Sequence, residues 1–232
     1  MQFGRVLVEL TPLLVKGLGV TLWVSLVSIA IAFFLGLISC LFGISRVKPL
    51  QLISKFYVWI MRGTPFIVQL FIIKYGVPQL VQLAVPSFKI GITAAAIATL
   101  SLNAGAYMSE IFSGAIQAVD PGQMEAARSL GLSHTRAMVK VILPQALKIS
   151  IPTLANQFII TIKDSSLAQV IGLPELFQQG KIYVGTTFRS FESYVLVGVF
   201  YLVIITILSF FIKRIERKQQ REQANSTNQK TA

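Results

Sequence analysis

The sequence predicts an all-α membrane protein: five transmembrane helices, with a cytoplasmic helix-turn-helix loop between the third and the fourth. Three observations lead there. Apolar residues make up 54% of the 232 residues and charged residues 13%, about half the roughly 25% charged content of a soluble domain. The apolar residues come in runs close to the ~20 residues that a helix needs to cross the hydrocarbon core. The positive excess, +12 from 21 Lys+Arg against 9 Asp+Glu, is concentrated in alternate connections. These figures exclude an ordinary water-soluble enzyme, and also a disordered chain, whose hydrophobicity is low. One cysteine, Cys40, excludes an internal disulfide framework and a cysteine-based zinc cluster. The single histidine, His134, has no ligand set beside it and reads as a solvated or docking residue.

Taken in order, residues 1–16 form an extracellular N-terminal segment. The first span covers about 17–45, with no charge between Lys16 and Arg46; it is too long, and lacks the basic leader, for a cleavable signal peptide. The second covers about 56–83, interrupted by Arg62, an anchor in the headgroups, and by Lys74, which snorkels outward. The third covers about 90–112 and the fourth about 150–173, the latter carrying Lys163 and Asp164. The loop from Gly172 to Glu192 is expected to fold back on the protein, partly as a short helix. The fifth span covers about 193–212. Residues 213–232 form a cytoplasmic basic tail, polar and disordered beyond about Gln219. The connections after the first and third spans, with Arg62 at the edge of the former, and the tail hold fourteen Lys and Arg; the opposite side holds five. The positive-inside rule then puts the N-terminus outside and the C-terminus in the cytoplasm of a multi-pass plasma (inner) membrane protein. Basicity is thereby explained without nucleic acid.

The loop over about 114–149 is longer than a connector needs. Asp120 suits an N-cap, Pro121 the first helical position, and Gln123 follows three residues after the cap. Gly131 stands where a left-handed C-terminal residue is expected. Ser133 caps a second helix that stops at Pro144. Two short helices at a glycine corner make either a docking surface or an amphipathic pair on the headgroups.

A charge at the bilayer centre costs roughly 2.5–3.5 kcal/mol on insertion scales, so Lys163 and Asp164 need compensation. Adjacent on a helix, they point about 100° apart and do not face each other. With Ser165 and Ser166 they offer a cation and acceptors to a zwitterionic solute; alternatively they form salt bridges that hold the bundle. Thr64, Gln69, Asn103 and Tyr107 either face a lumen or bond across spans. Glu110 caps a cavity or pairs with Arg128 or Lys140. Trp23 and Trp59 fit aromatic belts.

Several of these residues carry a family resemblance. Glu125-Ala126-Ala127, then Gly131, then Val141 and Leu143-Pro144, resemble the EAA loop of ABC importer permeases, with Val141 where that pattern has Ile. Arg62-Gly63-Thr64-Pro65 with Val68-Gln69-Leu70 resembles segments of polar amino acid permeases, the histidine/glutamine/arginine-like group of type I importers. So do Tyr107 with Glu110-Ile111, Gly114 with Ile116-Gln117, and Lys163-Asp164-Ser165-Ser166-Leu167. The motifs are spread over about 17–212, the expected type I transmembrane domain. The resemblance implies a permease subunit of an ATP-driven amino acid importer. Glu125, Ala126, Ala127, Gly131, Leu143 and Pro144 would couple it to a cytoplasmic ABC ATPase dimer. A second permease subunit, identical or homologous, and an extracellular or periplasmic amino-acid-binding protein are implied as well. Lys163, Asp164, Ser165, Ser166, Thr64, Gln69, Asn103 and Tyr107 are the candidate substrate pathway. The chain has no G-x-x-x-x-G-K-[ST] run, so it is expected to bind no cofactor and to be no enzyme, with ATP and Mg on the partner ATPase. A secondary transporter or channel subunit working without ATP is the alternative; five spans and no inverted repeat argue against it.

Overall fold

A computed structural model describes residues 3–231, with side chains described except for residue 215 and residues 218–231. Every regular element among the described residues is helical. Helix α1, Phe3–Gly43, is unbroken for 41 residues, so most of the expected N-terminal segment continues the first helix. Its buried face follows Leu10, Leu14, Gly17, Thr21, Val24, Ser28, Ala32, Gly36 and Ser39, a helical 3–4 spacing. Most of these side chains are small, whereas Trp23, Leu26, Phe34 and Ile38 are exposed on the other side. A water-soluble helix would be arranged the other way round. In lipid, burying large apolar groups gains nothing, and close backbone approach decides which face is packed.

Helix α5, Ile92–Gln117, buries the same kind of surface: Ala95, Ala96, Thr99, Ser101, Ala104, Gly105 and Ala106. Its contact with α1 is the most extensive in the bundle. A Cβ at Gly36 would stand 2.6 Å from Met108 Cβ and 2.8 Å from the Gly105 carbonyl oxygen, so no larger residue fits there without separating the helices. Nearby, Ser109 donates to Ser39 at 3.0 Å and Ser54 donates to the Ser39 carbonyl at 2.7 Å. This buried hydroxyl cluster joins α1, α5 and α2, Lys48–Gly63.

The expected second span is broken. α2 meets the segment Phe66–Val81 at 109°. That segment is α3 (Phe66–Phe71), a π turn (Ile72–Gly76) and α4 (Val77–Val81). The cause is Pro65, which lacks an N–H and drives the residue before it out of the helical region; Thr64 is extended at φ −122°, ψ 146°. Lys74 donates to the Ile90 carbonyl, in the connection before α5, at 2.6 Å.

After α5 come α6 (Pro121–Ser129) and α7 (His134–Ala137). A π turn, Met138–Ile142, leads without interruption into α8, Leu143–Asp164, and on through a 3₁₀ stretch, Ser165–Ile171. The expected stop at Pro144 is therefore absent. Pro144 lies in the first turn of α8, where a missing N–H costs least, and the wide π turn before it accommodates the ring. The connection after α8 holds α9, Leu176–Thr187, packed on α1 and α10. Helix α10 runs Ser190–Thr231. The tail expected to be disordered continues it, in a run of helix-tolerant residues free of Gly and Pro.

By length and apolarity, three described stretches can cross a membrane: Phe3–Gly43, His134–Ile171 and Ser190–Arg214; there are four if the bent pair counts as one. The expected third span, now α5, falls outside this group. Its core is built from Ala, Gly, Ser, Thr and Asn, which pack closely but dilute its hydropathy. Of the five expected spans, length and apolarity thus support three, or four with the bent pair.

Candidate functional site

Three groups of candidate residues occupy separate places. The first is the α6–α7 corner. Asp120 caps α6 by accepting from Gly122 N at 2.8 Å, and Ser133 caps α7 by accepting from Arg136 N at 3.4 Å. Gly131 is left-handed, φ 81°. Around it, Gly131 N donates to the Arg128 carbonyl at 3.0 Å and Leu132 N to the Ala127 carbonyl at 3.2 Å, the paired bonds of a Schellman motif. Ala127 is buried, while Glu125, Ala126 and Arg128 are exposed and Leu130 is 85% exposed. Met124, Met138 and Val141 pack on Ala115, Val119, Ile142 and Ala146. The corner is thus seated on α5 and α8 by its inner face and presents its outer face unpartnered. Leu143 and Pro144 lie at the start of α8 instead, half-buried and exposed respectively.

The second group lies at the α2–α3 break. Gln69 is buried, and its Nε2 donates to the Met61 carbonyl at 2.8 Å, the Thr64 carbonyl at 3.0 Å and Thr64 Oγ1 at 2.9 Å. Its Oε1 accepts from Asn103 Nδ2 at 3.0 Å. Thr64, Gln69 and Asn103 therefore form one network that braces the bend against α5. Their polar atoms are engaged with one another, the arrangement expected of polar glue between spans. Beside this brace, Arg62 Nη1 pairs with Glu110 Oε2 at 3.1 Å, and its guanidinium lies over the Tyr107 ring, 5.4 Å from the centroid. Arg62 thus has an ion-pair partner within the chain, and Glu110 pairs with neither Arg128 nor Lys140. The packing of α2 against α5 brings these two residues together. With Thr153, Asn156 and Gln157 of α8, they line a cleft of about 350 Å³. It has a cation, a carboxylate, an aromatic face and amides, a set suited to a small zwitterion.

The third group is at the end of α8. Lys163 and Ser166 line a cavity of about 570 Å³ with Phe177 of α9 and Tyr194, Val197, Gly198, Tyr201 and Ile205 of α10. Lys163 is exposed and Asp164 half-buried; neither has an ion pair within 4 Å among the described residues. Bundle-holding salt bridges within this chain are therefore not formed by them. Ser165 and Ser166 donate back to their own turn, to the Ile162 carbonyl at 2.8 Å and the Lys163 carbonyl at 2.6 Å, a habit that bends helices.

One residue escaped the sequence reading. Glu175 is wholly buried and caps α9, accepting from Phe177 N at 2.8 Å and Gln178 N at 2.6 Å. Burial pushes its carboxyl up to about 7 against the lowering effect of these donors. The signal was available: an acid immediately before an apolar Leu-Phe step is a helix-capping position.

Known proteins resemble this chain over most of its length. Residues 28–221 match the family described as "Binding-protein-dependent transport system inner membrane component". The chain is 38% identical over 212 residues to the glutamine transport system permease protein GlnP of Escherichia coli K12, covering 90% of this chain and 94% of that one. It is 37% identical over 207 residues to the arginine transport system permease protein ArtQ of Bacillus subtilis, covering 89% and 92%. Among solved structures, a chain of an amino acid ABC transporter superposes with a TM-score of 0.86 at 38% identity, covering 94% of this chain and 99% of that one. A chain of the MetNI methionine ABC transporter in inward-facing form superposes at 0.73 with 25% identity, covering 89% and 95%.

Proposed function

This chain belongs to the family of inner membrane components of binding-protein-dependent transport systems, as an amino acid ABC importer permease, and we propose how its parts divide the work. The α6–α7 corner docks on a cytoplasmic ABC ATPase dimer. Glu125 and Arg128 supply charged contacts, Ala126 permits close approach, and Leu130 inserts. ATP and Mg stay on that partner. A second permease subunit, identical or homologous, completes the membrane unit, and an extracellular amino-acid-binding protein delivers the solute. Five helices cross the membrane with the N-terminus outside, the first, fourth and fifth being α1, α8 and α10. The bent pair α2–α4 and the closely packed α5 make up the rest.

The solute is a polar amino acid. Its passage runs along the exposed stripe of α8, from Thr153 and Asn156 to Lys163 and Asp164. The Arg62–Glu110 pair and Tyr107 flank it, and Thr64, Gln69 and Asn103 brace the wall. Alternating access then amounts to the corner moving with the ATPase and carrying α8, to which it is joined without a break. The observation that carries this reading is the corner itself: locally rigid, exposed on one face, continuous with the helix that bears the candidate pathway.

The test is uptake of labelled amino acids into proteoliposomes holding this chain, its copurifying ATPase and its binding protein. ATP-dependent accumulation supports the proposal. Accumulation without the ATPase supports a secondary transporter or channel and overturns it. Asp164→Asn should raise KM for the solute while leaving ATPase docking intact.

A further inference from the structure

Glu175 is the one acidic residue among the described residues that is wholly buried, and nothing in the proposed passage uses it. Besides the two amides of α9, its Oε2 accepts from the Tyr201 hydroxyl of α10 at 3.0 Å. The next amide, Leu176 N, donates to Thr21 Oγ1 of α1 at 3.1 Å. Two successive residues thus tie α9 to both long helices. The groups facing the carboxylate are Thr21 from α1, Tyr201 from α10 and the amides of Phe177 and Gln178. The residues so tied form the Lys163 cavity: Phe177 and Tyr201 line it. The Phe177 ring also stacks on Tyr194, another lining residue, with centroids 5.7 Å apart and planes at 15°. Glu175 itself is not among the lining groups.

We infer that Glu175 is a positioning residue for the solute passage. It fixes Phe177 and Tyr201 relative to α1, and so sets the shape and width of the cavity into which Lys163 projects. A buried carboxyl suits this task, because its two oxygens accept several donors from different elements at once. This inference rests on the reading of Lys163 as part of the passage.

The experiment uses the complete transporter in nanodiscs and proteoliposomes, with L-glutamine and L-arginine as probes, kinetics being taken on whichever is transported. Glu175→Ala should speed amide hydrogen exchange across residues 176–187 at least tenfold. It should raise KM for uptake more than fivefold, with the maximal rate changed less than twofold. Glu175→Gln, of the same shape and retaining one acceptor, should recover most of both effects. Tyr201→Phe should raise KM about two- to threefold without loosening the α9 cap. Unchanged exchange in Glu175→Ala, or faster exchange with unchanged KM in all three variants, overturns the inference alone. An unchanged KM in Lys163→Met overturns the passage reading beneath it, and the inference with it.

Discussion

The two connections at the ends of α8 differ in what holds them. Before α8, the α6–α7 corner is shaped by local bonds, two caps and a left-handed glycine, none of which reaches more than five residues along the chain; a longer bond, from Gln145 Nε2 to Gln123 Oε1 at 3.3 Å, ties it to α8. After α8, α9 is held by residues far away in sequence. Thr21 bonds Leu176 across 155 positions, and Glu9 accepts from Tyr183 across 174. The corner keeps an exposed face and can move as a unit with a partner. α9 is folded into the bundle and serves as part of its wall. An element meant to transmit motion is stiff within itself and joined to the helix it moves; an element meant to shape a cavity is tied at many distant points.

This contrast can be broken or sharpened by substitution. The largest effect is expected from Gly131→Trp, which forces a β-carbon into a left-handed backbone and puts an indole on the docking face. ATP-driven uptake should fall to background while membrane insertion persists, measured by transport and by ATPase copurification; full uptake would deny the corner its role. Next, Glu175→Ala leaves the Tyr201 hydroxyl and two amides without an acceptor in a buried place. At about 1 kcal/mol or more for each stranded group, the chain should lose about 3 kcal/mol, seen as a lower thermal midpoint in detergent. A loss below about 0.5 kcal/mol would mean that α9 is held by packing alone.

The pH dependence follows from the same residue. Its carboxyl is raised from 4.5 to about 7 by burial, so the folded state holds the proton more tightly than the unfolded chain. Its contribution is therefore fully present below about pH 4.5 and is lost as pH rises toward about 7. At 1.36 kcal/mol per unit this amounts to about 3 kcal/mol. The difference in unfolding free energy between wild type and Glu175→Gln should change by that order between pH 4.5 and 7.5; a flat difference would contradict it. The smallest effect is expected at the corner's cap: Asp120→Ala should cost about 1 kcal/mol, with exchange raised in residues 122–124 and unaltered in α9.

The corner was readable in the sequence because its determinants are neighbours. Asp120, Gly131 and Ser133 stand at the spacings that capping and a left-handed turn demand. The break at Pro65 was equally readable, and the long apolar run around it concealed the break: hydropathy counts residues without asking whether each can donate an N–H. The end assigned to the loop at Pro144 had the opposite fault, since a proline in a helix's first turn does not stop it. The Arg62–Glu110 pair could not be read, because 48 positions separate the residues and only the packing of α2 on α5 decides that they meet. Glu110 had nearer basic residues in the sequence, yet none of them is its partner.

The sequence by itself determined the solvent of this protein, the places where its backbone turns and the rigid corner it projects. Those properties follow from composition and from bonds within a few residues. The tertiary structure decided which polar side chains brace one another and which are left facing a cavity, and it gave a buried acid its role. A helical period marks out a face, but the neighbour covering that face is settled by small residues such as Gly36 and Gly105, whose close fit has no counterpart in any local pattern.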